Sequence, residues 1–280
     1  MWGIIGGSGF ERSEVVSTVE ELDRETPFGL CSSGLKRVLL GRTSAIFLPR
    51  HGSQHELSPS EVNFRANIFA LKKYGVRRLL ALSAVGSLRQ ELKPGDLVVP
   101  KQFIDRTKGL RTASFCGQGV VGHVSLAHPS CPACTSALQK LARRFSFPAH
   151  FGKTAVCIEG PYFSTQAESH AYRDSGADII GMTSFPEYGL AREAGLCYLP
   201  CFFVTDYDCW DDAIPHVTVA EVMEVMRSNN GKAFHLIAEV LLAKGLEECG
   251  CAAGGLKNSL MTPWERVPQE IQSWMRVLIG

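Results

Sequence analysis

Two aspartates that follow one strongly apolar run are the first residues whose spacing suggests chemistry. The run ends in TDYDCW (205–210), so Asp206 and Asp208 share one side of the chain if the extended conformation continues. Such a pair can bind a metal ion, act as general acid and base, or cap the next helix. Metal binding is disfavoured because no further ligand is evident at short range, apart from Asp211 and Asp212.

Groups that can hold an anion occur at the ends of four other predicted strands. Glycine-rich turns expose backbone N–H groups, Ser8 adds a hydroxyl, and Arg50 beside His51 offers the forked donors that suit an oxyanion. Ligands of open α/β sheets bind at such strand ends. The segments are GGSG (6–9), PRHGSQH (49–55), ALSAVGS (81–87) and GMTS (181–184).

The first of these segments also allows a dinucleotide-binding interpretation. That motif requires a third glycine where Arg12 stands, and an acidic ribose ligand about twenty residues on, for which Glu20, Glu21 and Asp23 are candidates. The Lys-Ser/Thr of a nucleotide-triphosphate loop is missing. The glycines alone are equally compatible with a tight turn.

Ten cysteines are spread through mainly apolar segments, which favours reduced, buried and inert thiols. Cys131 and Cys134 in CPAC resemble a redox motif or half of a zinc site, but no second ligand pair is evident, so no metal is predicted. Cys249 and Cys251 in CGC could close a local disulfide under oxidising conditions.

The elements that must position these groups alternate along the chain. Short apolar, β-rich runs are separated by stretches with helical spacing, which predicts an α/β fold with a central mixed sheet surrounded by helices. Predicted strands lie at 2–5, 37–40, 45–49, 77–85, 96–100, 154–158, 177–182 and 196–205. Predicted helices lie at 59–75, 134–145, 184–195 and 217–245, with a final amphipathic helix within 263–280.

Composition excludes several classes of protein. The 280 residues are 45% hydrophobic, which suffices for a sizeable core, and the net charge of +1 gives no field that would recruit nucleic acid or anionic lipid. The chain starts without a secretory leader and has no run long enough to span a bilayer. We therefore expect a cytoplasmic protein with a small-molecule partner.

In order along the chain, these motifs resemble the trimeric branch of the purine nucleoside phosphorylases, and within it the enzymes that cleave 5′-methylthioadenosine. The resemblance covers about residues 1–245 and implies a single phosphorylase domain over 1–248, with 249–280 as a hinge and helix of the same globular unit. It rests on GGSG (6–9), PRHGSQHELSPSEVNFRANIFALK (49–72), SAVGSLRQELKPGDLVVPKQFIDRT (83–107), IEGPYFSTQAES (158–169), GMTSFPEYGLAREAG (181–195) and TDYDCW (205–210).

The resemblance assigns a role to most of these residues. It implies phosphate binding by Ser8, Arg50, His51, Ser83, Thr183 and the backbone around Ala84. It implies nucleoside binding by Met182 along the ribose, Phe163 and Ser164 near the purine, and Asp206 and Asp208 at the base edge. Asp206 would protonate purine N7 while phosphate attacks the sugar. The reaction then needs no metal or organic cofactor, and the family implies a homotrimer or a dimer of trimers.

Substrate choice depends on finer features. Carboxylates at 206 and 208 suit a 6-aminopurine, whereas relatives that use 6-oxopurines carry Asn in this region. Val219, Val222 and Met223 form an apolar patch that suits a methylthio group, although each could equally be a core residue of the helix. The resemblance also implies that His123 contacts the 5′ region of the nucleoside that is bound at a neighbouring subunit.

The chain departs from the family pattern next to the sugar. Gly181 replaces Asn, and Ser184 replaces Thr. A broader phosphorylase that acts on adenosine or on 6-oxopurine nucleosides therefore remains the alternative.

Overall fold

The computed structural model describes residues 1–7, 17–40, 43–211, 219–243 and 249–280, except for the side chains of 17, 219 and 220. These residues form eleven strands: β1 (Trp2–Gly6), β2 (Ser17–Leu22), β3 (Glu25–Thr26), β4 (Gly29–Leu30), β5 (Leu35–Leu40), β6 (Thr43–Pro49), β7 (Arg78–Ser87), β8 (Leu97–Arg106), β9 (Ala149–Ile158), β10 (Ile179–Gly181) and β11 (Cys197–Tyr207). The helices are α1 (Phe64–Lys73), α2 (Pro132–Leu141), α3 (Gln166–Asp174), α4 (Glu187–Glu193), α5 (Val219–Leu242) and α6 (Gln269–Ile279).

Nine of the described strands form one mixed sheet, as the sequence predicted. Their order is β10-β9-β8-β11-β7-β1-β6-β5-β2, and β10 also pairs with β7, so that one end of the sheet closes on itself. The central strands β6, β1, β7 and β11 are parallel neighbours. Their carboxyl ends therefore lie at one edge of the sheet. The polar motifs come directly after these strands in sequence and so lie at the same edge.

The predicted elements were mostly found, with differences that follow from burial. β1 and most of β11 are buried apolar runs because helices cover both faces of the sheet. The sequence did not predict β2, an edge strand of mostly polar residues, or α3, whose nine residues bury only Ser169. A capping box between Thr165 and Glu168 starts α3 instead.

The C-terminal segment packs on the body of the fold. Leu256 and Leu278 belong to the same buried cluster as Leu71 and Leu79, and Trp274 lies edge-on to Phe28 with ring centroids 4.9 Å apart. Within the described residues, no helix combines the length and the apolar character needed to cross a bilayer.

Candidate active site

A cavity of about 850 Å³ opens at the carboxyl ends of the parallel strands. It gathers most of the residues predicted from the sequence: Arg50, His51, Ser83, Ala84, Phe163, Ser164, Met182, Thr183, Asp206, Asp208, Val222 and Met223. Ser8 and the side chain of Val219 lie outside the described residues. The strands thus bring together groups that are more than 150 positions apart in sequence.

Arg50 directly follows β6 and is held by a buried ion pair. Its Nε donates to Glu187 Oε2 at 2.7 Å, its Nη2 donates to Glu187 Oε1 at 3.0 Å, and its Nη1 donates to the Leu82 carbonyl at 2.8 Å. Burial disfavours the charge, but Glu187 raises the Arg50 pKa above its ordinary value. A guanidinium has five N–H groups, so two remain for an anion.

The forked face of Arg50 is therefore occupied by Glu187, contrary to the expectation that the fork itself grips the oxyanion. Glu187 lies near the start of α4, is fully buried, and also accepts a hydrogen bond from the Tyr198 hydroxyl at 3.0 Å. This carboxylate fixes the direction in which the two remaining Arg50 N–H groups point.

His51 is neutral over the physiological pH range. Its Nδ1 lies 2.9 Å from the Leu57 carbonyl, which can only accept, so Nδ1 carries the proton and Nε2 is an acceptor. Burial, with the Arg50 charge as the next cause, lowers the His51 pKa to about 4. His51 can accordingly accept a hydrogen bond from a protonated oxyanion or a sugar hydroxyl, but it supplies no positive charge.

Two hydroxyls from different strands meet on the same side of the cavity. Ser83 Oγ in β7 lies 3.0 Å from Thr183 Oγ1, just after β10, and either can donate to the other. One of the two hydroxyl hydrogens is therefore left to donate to another acceptor. With Arg50 and His51, these groups form a polar end of the cavity, built from three strands, whose free donors suit an anion.

A β-bulge determines where Asp206 points. Val204 pairs with Val85 in the parallel ladder, but Asp206, not Thr205, pairs with Gly86. The extra residue re-aims the following side chain, as bulges commonly do near active sites. Gly86 leaves room for this side chain, since a Cβ there would lie 3.0 Å from Ile180 Cγ2 and 3.2 Å from Asp206 Oδ2.

The environment of Asp206 favours its protonated form. Burial, followed by the charge of Asp208, raises its pKa. The Thr205 hydroxyl lies 2.5 Å from Asp206 Oδ1 and 3.2 Å from the Val85 carbonyl. When Asp206 is protonated it can donate to Thr205, which then donates to Val85, and when it is ionised Thr205 can turn to donate to it.

Asp208 lines the same cavity as Asp206. Its backbone N–H donates to the Ser87 carbonyl at 2.9 Å, which continues the strand direction beyond β11. Burial raises the Asp208 pKa, while the nearby Ser169 and Ser164 hydroxyls oppose that shift. Asp208 Oδ2 is buried and has no well-aligned hydrogen-bond partner among the described residues. A buried acceptor of this kind can take a hydrogen bond from a ligand amino group.

Helix α5 lines another part of the cavity, in which an apolar patch of Val222, Met223 and Met226 forms what we call the apolar end. The same helix also contributes the polar Arg227, Asn229 and Asn230 to the lining. Phe163 has 62% of its surface exposed, and Met182 lies against Gly160. The cavity thus joins a polar end whose donors suit an anion, a pair of buried carboxyls and the apolar end.

Comparison with known proteins assigns the fold to a family. The profile of the phosphorylase superfamily matches residues 2–242. The chain belongs to the phosphorylase superfamily. It is 41% identical over 279 residues to the S-methyl-5′-thioadenosine phosphorylase of Geobacter sulfurreducens, covering 99% of this chain and 97% of that one.

Solved structures of phosphorylases agree with this placement. A methylthioadenosine phosphorylase from an Antarctic soil metagenomic library superposes with a TM-score of 0.91 at 40% identity, covering 100% of this chain and 98% of that one. A mutant of the adenosine/methylthioadenosine phosphorylase from Schistosoma mansoni, in complex with methylthioadenosine, gives a TM-score of 0.82 at 35% identity, over 99% and 96% of the two chains.

Within this phosphorylase fold, several buried residues of the site were not singled out from the sequence. Arg111 donates to the Met182 carbonyl at 2.7 Å and to Glu159 Oε1 at 2.7 Å, and thereby fixes the backbone that carries Met182. Glu159 and Glu187 fall inside the matched motifs, but a single sequence does not show which arginine each of them pairs with.

Two other predicted features are placed away from the cavity or explained by packing. His123 does not line the cavity, and its backbone N–H donates to the Ser259 carbonyl in the C-terminal segment. At Gly181, a Cβ would lie 3.2 Å from the Val85 side chain, so the missing side chain matches tight packing against β7.

The sequence showed no second ligand pair for CPAC, but the fold brings three further cysteines to Cys131. The Sγ atoms of Cys131, Cys197, Cys249 and Cys251 lie within 4.8 Å of one another, because the fold brings three distant segments together. Cys249 and Cys251 are not joined by a disulfide; all ten cysteines are free thiols.

Proposed function

We propose that this chain catalyses the phosphorolysis of 5′-methylthioadenosine to adenine and 5-methylthioribose 1-phosphate. The observation that carries this proposal is a single cavity in which a polar end that suits an anion, a buried carboxyl with a raised pKa and an apolar end are contiguous. The polar end suits phosphate, the buried carboxyls suit the purine, and the apolar end suits the methylthio group.

Cleavage of an N-glycosidic bond is easier when the departing base is neutral. Asp206 is the proposed proton donor to purine N7, because its raised pKa keeps the carboxyl protonated at higher pH than an exposed aspartate. Asp208 accepts from the 6-amino group of adenine through its buried Oδ2, which has no well-aligned hydrogen-bond partner among the described residues. A 6-oxopurine offers no donor there, which favours adenine.

Inorganic phosphate is the proposed nucleophile. The two spare N–H groups of Arg50 and the hydroxyls of Ser83 and Thr183 donate to it, and the neutral Nε2 of His51 accepts from its remaining proton. Ser8 and the backbone at Ala84 complete the proposed set. Phosphate held below the sugar also stabilises the positive charge that develops on the ribosyl carbon.

The apolar end accounts for the preference for a methylthio group. Val222, Met223 and Met226 offer a 5′-hydroxyl no hydrogen bond, whereas a thioether loses nothing by leaving water. The relatives named S-methyl-5′-thioadenosine phosphorylase favour this substrate over the broader alternative. Met182 and Phe163, with Ser164, are the proposed contacts to ribose and purine.

We also propose an oligomeric state and a cellular location. A homotrimer, or a dimer of trimers, lets His123 reach the 5′ region of a neighbouring site, and the exposed Val121 and Leu126 on the same loop supply apolar contact area. The reaction as proposed uses phosphate as co-substrate and no cofactor, and takes place in the cytoplasm.

A base-release assay tests the function. Purified protein is incubated with 5′-methylthioadenosine, adenosine or inosine, each with and without phosphate, and free base is quantified by chromatography. We expect adenine and a sugar 1-phosphate from 5′-methylthioadenosine only when phosphate is present. Release that does not depend on phosphate would indicate hydrolysis, and equal turnover of all three nucleosides would contradict the specificity.

A further inference from the structure

Four cysteine sulfurs converge at the end of β11 that is opposite to Asp206. Cys197 opens that strand, so about nine extended residues, or roughly 30 Å, separate it from the catalytic cavity. Cys131 precedes α2, and Cys249 with Cys251 lies beyond α5. These thiols have no part in the phosphorolysis proposed above.

The spacing of the sulfurs matches a tetrahedral metal site. With metal–sulfur bonds of about 2.3 Å, the edges of a zinc-thiolate tetrahedron are about 3.8 Å long. Here Cys131 Sγ lies 3.7 Å from Cys249 Sγ, Cys197 Sγ lies 3.1 Å from Cys249 Sγ, and all four atoms fall within 4.8 Å. A disulfide requires about 2.05 Å, so these contacts are not bonds between sulfurs.

The surroundings suit bound thiolates. Cys131 is the N-cap of α2, and its Sγ accepts from the backbone N–H of Cys134 at 3.5 Å, which favours negative charge on that sulfur. The backbone at Cys131 is fixed by its N–H, which donates to the Tyr198 carbonyl at 2.8 Å. Arg78 and Lys72 lie within electrostatic range of Cys134 and Cys197.

We propose that Cys131, Cys197, Cys249 and Cys251 bind one Zn²⁺ ion as a structural site. Four thiols lose four protons on binding and form four zinc–sulfur bonds, which leaves the site with a net charge of −2 and involves no oxidation. Four protein ligands leave no open position for water or substrate, so the ion serves stability and not catalysis.

The ion would join three segments that are distant in sequence. Cys249 and Cys251 begin the C-terminal segment, in which Gly255 packs so tightly that a Cβ would lie 2.8 Å from the Gly195 backbone. Zinc bound at this point holds the segment against β11 and the start of α2. Its binding free energy then adds to the free energy of unfolding.

Metal analysis of the full-length protein tests the proposal. The protein is produced in zinc-supplemented medium, purified with a phosphine reductant and no chelator, and assayed by inductively coupled plasma mass spectrometry. We expect about one zinc per chain in the wild type, and less than a tenth of that in Cys249→Ala/Cys251→Ala. Cys116→Ala is the control, since Cys116 is also partly buried but lies outside the cluster, and it keeps its zinc.

A second measurement does not depend on any variant. After mild removal of zinc, the wild type should bind one Co²⁺ per chain and develop the intense visible absorption of tetrahedral cobalt thiolate. Reduced wild-type protein that carries no zinc and takes up no Co²⁺ would overturn the proposal. The proposal would also be overturned if protein purified with reductant had a denatured mass below that of the fully reduced chain by the hydrogens lost in forming two disulfides. Loss of phosphorolysis with intact zinc would instead count against the proposed function alone.

Discussion

Glu187 accepts two hydrogen bonds from the Arg50 guanidinium, at 2.7 and 3.0 Å, and both side chains are almost completely buried. Glu187 thus neutralises the charge of Arg50 and sets the direction of its two remaining donors. A buried pair of this kind loses about 3 to 5 kcal/mol when one partner is removed, because the other charge is left buried and uncompensated.

Glu187→Gln should therefore lower the free energy of unfolding by about 3 to 5 kcal/mol and raise KM for phosphate. Denaturant unfolding and initial rates against phosphate concentration measure the two effects. Glu193→Gln is the matched control on the same helix, because Glu193 is buried but, among the described residues, accepts from the Ser114 hydroxyl and the Phe115 N–H and pairs with no arginine. An unchanged phosphate KM in Glu187→Gln would contradict the positioning role.

Asp206→Asn should reduce kcat by about 10²- to 10⁴-fold, since the amide cannot give a proton to the leaving purine. The same change should stabilise the protein at neutral pH. Burial raises the Asp206 pKa above its ordinary value of 3.8, so the folded state binds the proton more tightly than the unfolded state, and stability falls as pH rises through that range. The gain in the variant should disappear as pH falls towards 3.8.

Thermal unfolding at several pH values checks the stability effect of Asp206→Asn. Asp178→Asn is a contrasting control, because Asp178 pairs with Arg89 at 3.1 Å and its neutralisation should destabilise the protein. Stabilisation by both variants, or by neither, would argue against an energetically unfavourable carboxylate at 206.

Thr205→Val should move the alkaline limb of the kcat profile to higher pH. The Thr205 hydroxyl favours the ionised form of Asp206, so its removal raises the Asp206 pKa further and keeps the acid protonated to higher pH. Valine has nearly the same shape, and KM for phosphate should change little. A shift of the limb to lower pH would be inconsistent with Asp206 as the acid.

His51→Asn should raise KM for phosphate by about 10- to 100-fold, because asparagine can still donate towards the Leu57 carbonyl but offers nothing in place of Nε2. The free energy of unfolding of the variant should also fall less than that of the wild type in mild acid. Burial lowers the His51 pKa from 6.5 to about 4, so in the wild type its stabilising contribution is complete above pH 6.5 and is lost as pH falls towards 4. Unfolding curves between these pH values measure the difference.

Val222→Ser should lower the ratio of kcat/KM for 5′-methylthioadenosine to that for adenosine by about tenfold or more, because a hydroxyl in the apolar end favours the 5′-hydroxyl. Val225→Ser is the matched control, since Val225 lies one turn on in the same helix but does not line the cavity. If both variants change the ratio equally, the effect comes from the helix and not from contact with the 5′ group.

The sequence alone determined the central strands, the main helices and most of the cavity residues. The continuous apolar runs of the central strands follow from burial on both faces of the sheet, and parallel strands end at one edge, so Arg50, Ser83, Thr183 and Asp206 could be placed together before any coordinates were known. Edge strand β2 and helix α3 were not predicted from the sequence, because their residues are mostly polar and little of their surface is buried.

Only the tertiary structure decided which distant side chains meet. The pairing of Arg50 with Glu187 spans 137 positions, the bulge at Thr205 depends on the register with β7, and the sulfur cluster unites three separate segments. Each of these is a long-range contact fixed by packing of the whole chain, and local sequence carries no record of its partner. The spacing of Asp206 and Asp208 left their chemistry open and the family resemblance singled out Asp206 as the acid, but the reason for its raised pKa is the buried, bulged position that the folded sheet gives it.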